Sequence, residues 1–243
     1  MIKWAQSSGT KIHVGEGLGI CSIKNSELPE SDPRRKYKGR FCYRTPTCKD
    51  EGGAIAIFQE MASRPTTIVA LNLAIAYGLF HGHKTIVADA IKAYVQSYLV
   101  PNPKDPVLTF LELPRHLCPE KYKHLDRPCF RLLRALYGHP EAGGHWEQHL
   151  TKIILSLGGA PIKGHPSCFW IAPTKLFLIV YVDDLLLSGP SEAHKGFWDK
   201  LSKEVNIEPP ESIDRYLGRH HTYEDMNRLD VDLIKEFTSP VKV

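Results

Sequence analysis

The sequence predicts an α+β fold: an antiparallel sheet with helices packed over one face. Three observations lead there. Two strand-sized apolar runs, 176–180 and 185–187, are separated only by Tyr181-Val182-Asp183-Asp184 and read as a hairpin, with Ser188-Gly189-Pro190 stopping the second run. Apolar residues recur on one helical stripe at 66–77, 141–157 and 191–205. Further strand-like segments alternate with these helices around the hairpin, as in a sheet layered with helices.

Taken in order, residues 1–36 carry Gly9, Gly15, Gly17, Gly19, Pro29 and Pro33 and read as loop-rich. A short strand fits 40–44, with Phe41 and Tyr43 on one face. The helix at 66–77 has Ser63 or Thr66 as cap, Pro65 in its first turn and Gly78 at its end. Its apolar stripe is Ile68, Leu71, Ile75 and Leu79. A strand at 85–88 ends at Asp89, and a short helix over 90–99 is stopped by Pro101-Asn102-Pro103. Residues 108–113 alternate as a strand, and 114–128 are a polar loop. The helix at 141–157 turns Trp146, Leu150, Ile153, Ile154 and Leu157 to one side and ends at Gly158-Gly159. A strand at 168–171 precedes the hairpin. The last helix, 191–205, points Phe197, Trp198, Leu201 and Val205 inward.

The chain has 243 residues, 42% of them apolar, enough for a sizeable core. A net charge of +4 gives no global signal for nucleic acid. The charge is uneven, however: Arg34, Arg35, Lys36, Lys38, Arg40 and Arg44 fall within eleven positions. Six scattered cysteines form no CxxC pair, no secretory signal opens the chain, and no apolar run approaches a membrane span of about 20 residues. The expectation is an intracellular protein, cytoplasmic or nuclear, with reduced thiols and no membrane partner.

Adjacent carboxylates at the tip of an apolar hairpin are costly. Each raises the other's pKa, and desolvation adds to the cost. A hard divalent cation such as Mg²⁺ would relieve the conflict, whereas an exposed polar turn would merely tolerate it.

The residues Tyr181-Val182-Asp183-Asp184 between apolar strands resemble the catalytic hairpin of reverse transcriptases. Three further stretches follow that family's order. Val87-Ala88-Asp89-Ala90-Ile91-Lys92-Ala93-Tyr94 resembles its first aspartate motif. Arg131-Leu132-Leu133-Arg134-Ala135-Leu136-Tyr137-Gly138, followed by Trp146, is similar to a stretch of copia-type retrotransposon polymerases. Tyr216-Leu217-Gly218 resembles the motif after the palm, and Pro65-Thr66-Thr67-Ile68 the entry to a fingers helix. The resemblance runs from about Lys38 to Gly218. Departures fall at Val69, where the family has Arg, and at Gly138-His139-Pro140-Glu141-Ala142-Gly143, which loses a basic and an amide side chain.

The resemblance implies a fingers-palm fold. Residues 37–86 would be fingers, 87–220 palm with a fingers insertion at about 101–140, and 221–243 the start of a thumb. It implies RNA-directed DNA polymerase activity on an RNA or DNA template-primer with dNTPs. Asp89 and Asp183 would bridge two Mg²⁺ ions, for which Mn²⁺ may substitute, about 3.5–4 Å apart. Asp184 would be a supporting carboxylate at the same metals. Tyr94 would be a steric gate under the sugar, and Gly138 would let backbone approach the new base pair. Lys38, Arg40, Arg64 and Lys92 would contact phosphates. The alternative is a catalytically inactive remnant keeping only the fold and weak nucleic-acid binding.

Other constellations are weaker. His145 and His149 are four apart on a helix, but Glu147 is off the position a zinc protease requires, and surface histidines account for them. His165 and Cys168 have no partner pair. Gly15, Gly17 and Gly19 lack the strand and helix of a phosphate loop.

Overall fold

The computed structural model describes residues 1–58 and 66–222. Along the chain run α1 (Ile2–Ser8), β1 (Lys11–Lys24), β2 (Lys36–Lys49), α2 (Ile68–Gly78), β3 (His83–Asp89) and α3 (Ala93–Gln96). They are followed by β4 (Val107–Glu112), β5 (Cys129–Arg131), α4 (Ala142–Ser156), β6 (Gly159–Pro161), β7 (Cys168–Ile171) and β8 (Leu176–Tyr181). The described chain ends with β9 (Asp184–Pro190), α5 (Ser191–Glu204), β10 (Glu211–Ser212), β11 (Arg215–Tyr216) and β12 (Arg219–His220). Most of the expected thumb segment, and Ser63, Arg64 and Pro65, lie outside the described residues.

A six-stranded sheet, in the order β10-β3-β9-β8-β7-β6, carries the main core and is antiparallel throughout. Its central strands are apolar on both faces, and so both faces need cover. Leu185 and Leu187 point to one side and Leu186 to the other, as strand alternation requires. On the first side pack Trp146, Leu150 and Ile154 of α4 with Phe197, Trp198 and Leu201 of α5. On the second pack Ala70, Leu71 and Ala74 of α2, with Ile213 and Tyr216. The expectation of helices on one face alone is therefore corrected: the continuous Leu185-Leu186-Leu187 run already required a second layer.

The stripe expected on α2 is also rotated. Ile68 and Leu79 are more than half exposed, and the buried face is Ala70, Leu71, Ala74 and Gly78. Small side chains let this helix lie close to the sheet. A Cβ at Gly78 would sit 1.9 Å from Thr85 Oγ1. Thr67 caps the helix, its hydroxyl accepting from Ala70 N at 3.2 Å.

A second, four-stranded sheet has the order β2-β1-β4-β5. Strand β1 runs parallel to β4 and antiparallel to β2. Residues 1–36, expected to be loop-rich, therefore hold a helix and a long strand. Two of the glycines that suggested loops, Gly15 and Gly17, are strand positions cleared for aromatic rings. A Cβ at Gly15 would lie 2.3 Å from the Tyr43 ring, and one at Gly17 2.3 Å from the Phe41 ring. The 90–99 helix shrinks to the four residues of α3.

Candidate active site

Strands β8 and β9 are joined by a two-residue turn. Tyr181 pairs with Asp184, which leaves Val182 and Asp183 between them. Val182 has φ 57°, a left-handed conformation that a β-branched residue adopts only under strain of about 1–3 kcal/mol. Two hydrogen bonds hold the strained turn. Trp146 Nε1 donates to the Val182 carbonyl at 2.6 Å, and Ala90 N donates to the Asp183 carbonyl at 2.7 Å. The first clamp comes from the buried indole of α4, the second from the residue after Asp89.

Asp89 ends β3 and stands directly opposite Asp184 at the start of β9. Opposed residues on neighbouring strands share a face and lie about 4.5–5.5 Å apart at Cβ. Two carboxylates from distant segments thus face each other at one end of the sheet, with Asp183 next to Asp184 on the turn. Asp184 is pushed up to about 7, first by burial and then by the negative charges of Asp89 and Asp183. Crowding of this kind disfavours the charged form of each carboxylate. The Asp184 carbonyl accepts from Tyr216 Oη at 3.4 Å, which ties the site to the layer beneath.

Tyr94 on α3 is half-buried, its ring centroid 4.6 Å from that of Tyr137. Burial raises the pKa of both phenols, and the charge of Asp183 adds to it, so both rings sit within electrostatic reach of that carboxylate. Arg40 opposes the rise at Tyr137, which brings this cation of β2 within electrostatic reach of Tyr137. Strand alternation puts Lys36, Lys38 and Arg40 on one exposed face of β2. The rest of the basic run is engaged: Arg34 pairs with Asp32 at 2.7 Å, Arg44 with Glu16 at 3.2 Å, and Arg35 Nη1 donates to the Leu28 carbonyl at 3.1 Å.

Lys92 is exposed, has φ 53° and makes no ion pair with a described residue. Arg64 lies outside the described residues. Gly138 has φ 84°, and a Cβ there would lie 2.3 Å from the Tyr43 carbonyl oxygen. Its missing side chain already has a use within the protein, where backbone passes backbone. Tyr43 N donates to the Tyr137 carbonyl at 2.7 Å, and Thr45 Oγ1 donates to that of Gly138. These bonds fix β2 against the loop that carries Tyr137.

Sequence reasoning named Trp146 and Tyr137 in a motif but gave neither a role. It also took His145 for a surface residue, whereas the ring is only 8% exposed. Helical periodicity could have placed His145 near the buried Trp146, but not the strands that cover it.

Among the described residues, no three His, Cys, Asp or Glu side chains converge closely enough to hold a metal ion unaided. The donor chemistry of Asp89, Asp183 and Asp184 nevertheless suits a hard cation. It is all oxygen, and burial and crowding raise the Asp184 pKa, a cost that a cation would relieve. No described helix is long and apolar enough to cross a membrane. No protein-family model matches this chain, and no curated protein gives a significant match.

Proposed function

We propose that this chain is the fingers and palm of a reverse transcriptase, an RNA-directed DNA polymerase resembling those of copia-type elements. It would transfer nucleotidyl groups from dNTPs to a primer 3′-hydroxyl on an RNA or DNA template. The observation that carries this reading is the carboxylate end of the sheet: Asp89 and Asp184 in register across β3 and β9, with Asp183 on a clamped, strained turn. Strain kept at a turn by dedicated hydrogen bonds is a mark of functional geometry.

Mg²⁺, or Mn²⁺ in its place, held at Asp89 and Asp183 and completed by substrate phosphates, would supply Lewis acidity to the primer oxygen and charge neutralisation to the leaving pyrophosphate. The chain's own groups have separate tasks. Asp184 holds a proton on its carboxyl while the site is free and gives it up as positive charge enters. Tyr94, braced by Tyr137, presents a ring beside Asp183 where the sugar of an incoming nucleotide would lie. Lys38 and Arg40, which make no ion pair with a described residue, offer charge to phosphates from the facing strand.

Primer extension tests the reading. Asp183→Asn with Asp184→Asn should abolish extension and leave template-primer affinity unchanged or slightly raised, since negative charge leaves the site. Lys38→Gln with Arg40→Gln should weaken binding and reduce the log–log salt slope by about 0.7–0.9 per lost contact. Extension by the double aspartate variant at the wild-type rate would refute the polymerase assignment.

A further inference from the structure

A cavity of about 590 Å³ opens away from the three aspartates, between α4, the 97–107 segment and β1. Neither Tyr94 nor any of Asp89, Asp183 and Asp184 lines it. Its size is that of a pocket for a small organic molecule.

At its wall sits His145, only 8% exposed, with its Nε2 closed to solvent. Glu141 Oε2 stands 3.7 Å from that nitrogen. Glu141 also lines the cavity. The neighbouring His145 holds its carboxyl below the usual carboxylate range despite burial, so it is present as a charged acceptor.

The same cavity has a cationic side. His149 and Lys152 line it, one turn and two turns beyond His145 on α4. Lys152 makes no ion pair with a described residue. Burial lowers the His149 pKa, and the charges of Arg134 and Lys152 lower it further, which gathers three basic side chains in one neighbourhood. The acid at the rim, Asp105, is already matched by Lys11 at 2.8 Å. A flat surface completes the pocket. The Tyr98 ring is 59% exposed, and the Arg134 guanidinium lies 3.8 Å from its centroid, bracing a plate on which another ring can stack.

We propose that this cavity binds a small phosphorylated ring compound of the nucleoside monophosphate class. The ring stacks on Tyr98, the phosphate meets Lys152, and a hydroxyl or amide of the ligand donates to the Glu141 carboxylate. The site is separate from the carboxylate site and does not depend on the polymerase reading.

The test is calorimetric titration of the full chain with adenosine 5′-monophosphate and, separately, with orthophosphate. EDTA is present throughout, so that no divalent cation recruits nucleotide to the aspartates. Saturable binding of the nucleotide is expected. It should weaken at least tenfold in Lys152→Glu, an exposed position with little bearing on folding. Asp183→Asn should bind within twofold of wild type. Absence of saturation up to about 10 mM, the weak end of measurable affinity, would overturn the proposal. So would equal affinity in Lys152→Glu, a loss in Asp183→Asn as large as in Lys152→Glu, or orthophosphate binding as tightly as the nucleotide.

Discussion

Replacing Trp146 by Phe separates the stability of the sheet from the geometry of its carboxylate end. Phenylalanine keeps an aromatic ring in the core but removes the Nε1 donor that meets the Val182 carbonyl at 2.6 Å. A half-buried carbonyl stripped of its partner costs about 1–3 kcal/mol. The lost ring volume at a site only 2% exposed adds about 1 kcal/mol, below the 3–5 kcal/mol of a truncation to Ala. The sum is roughly 2–4 kcal/mol. At about 2–4 °C per kcal/mol for a chain of this size, Tm should fall by roughly 4–16 °C. Leu150→Ala is the control. Leu150 lies on the same face of α4, 1% exposed, and its truncation costs a similar 2–5 kcal/mol without touching the turn. Both variants would be melted by circular dichroism and assayed for primer extension well below their Tm, with rates scaled to folded protein. Trp146→Phe should lose extension at least tenfold, because the strained Val182 turn relaxes and Asp183 moves with it. Leu150→Ala should stay within about threefold of wild type. If the two lose extension equally, or Trp146→Phe loses stability alone, the indole only fills space and the clamp reasoning is wrong.

Two further outcomes follow from the same site. Asp184 titrates near 7 in the folded chain and near 3.9 when unfolded, so between those values the native state binds more protons. Stability should therefore fall as pH rises from about 4 to about 7 and level off above. Asp184→Asn should remove that decline, and Tm curves of wild type and variant that run parallel from pH 5 to 8 would refute the raised carboxyl. Tyr94→Ala should raise ribonucleotide use relative to deoxynucleotide by roughly 30- to 1000-fold, a steric block of about 2–4 kcal/mol, measured by competitive single-nucleotide insertion. An unchanged ratio in an active variant would reject the steric role.

Local pattern determined a good deal of this protein. Alternation and breakers placed the strand ending at Asp89, the hairpin and its aspartates, and the helices near 141–157 and 191–205, because period and punctuation are properties of neighbouring residues. What pattern misread shares one physical cause. Gly15 and Gly17 look like loop residues until the Tyr43 and Phe41 rings on the next strand occupy the space where a Cβ would be. The buried face of α2 is its small-residue face because a close approach to Thr85 selects size over hydrophobicity. Helices cover both sides of the sheet because the middle strands have no polar face to give to water. The Trp146 clamp, at 2.6 Å, and the Tyr94–Tyr137 pair, with ring centroids 4.6 Å apart, join residues that lie on separate elements. Such distances are set by how layers pack. The sequence by itself determined which carboxylates the chain carries and on which strands, and only the tertiary structure decided that Asp89 and Asp184 stand opposite one another, since strand register comes from pairing across the sheet.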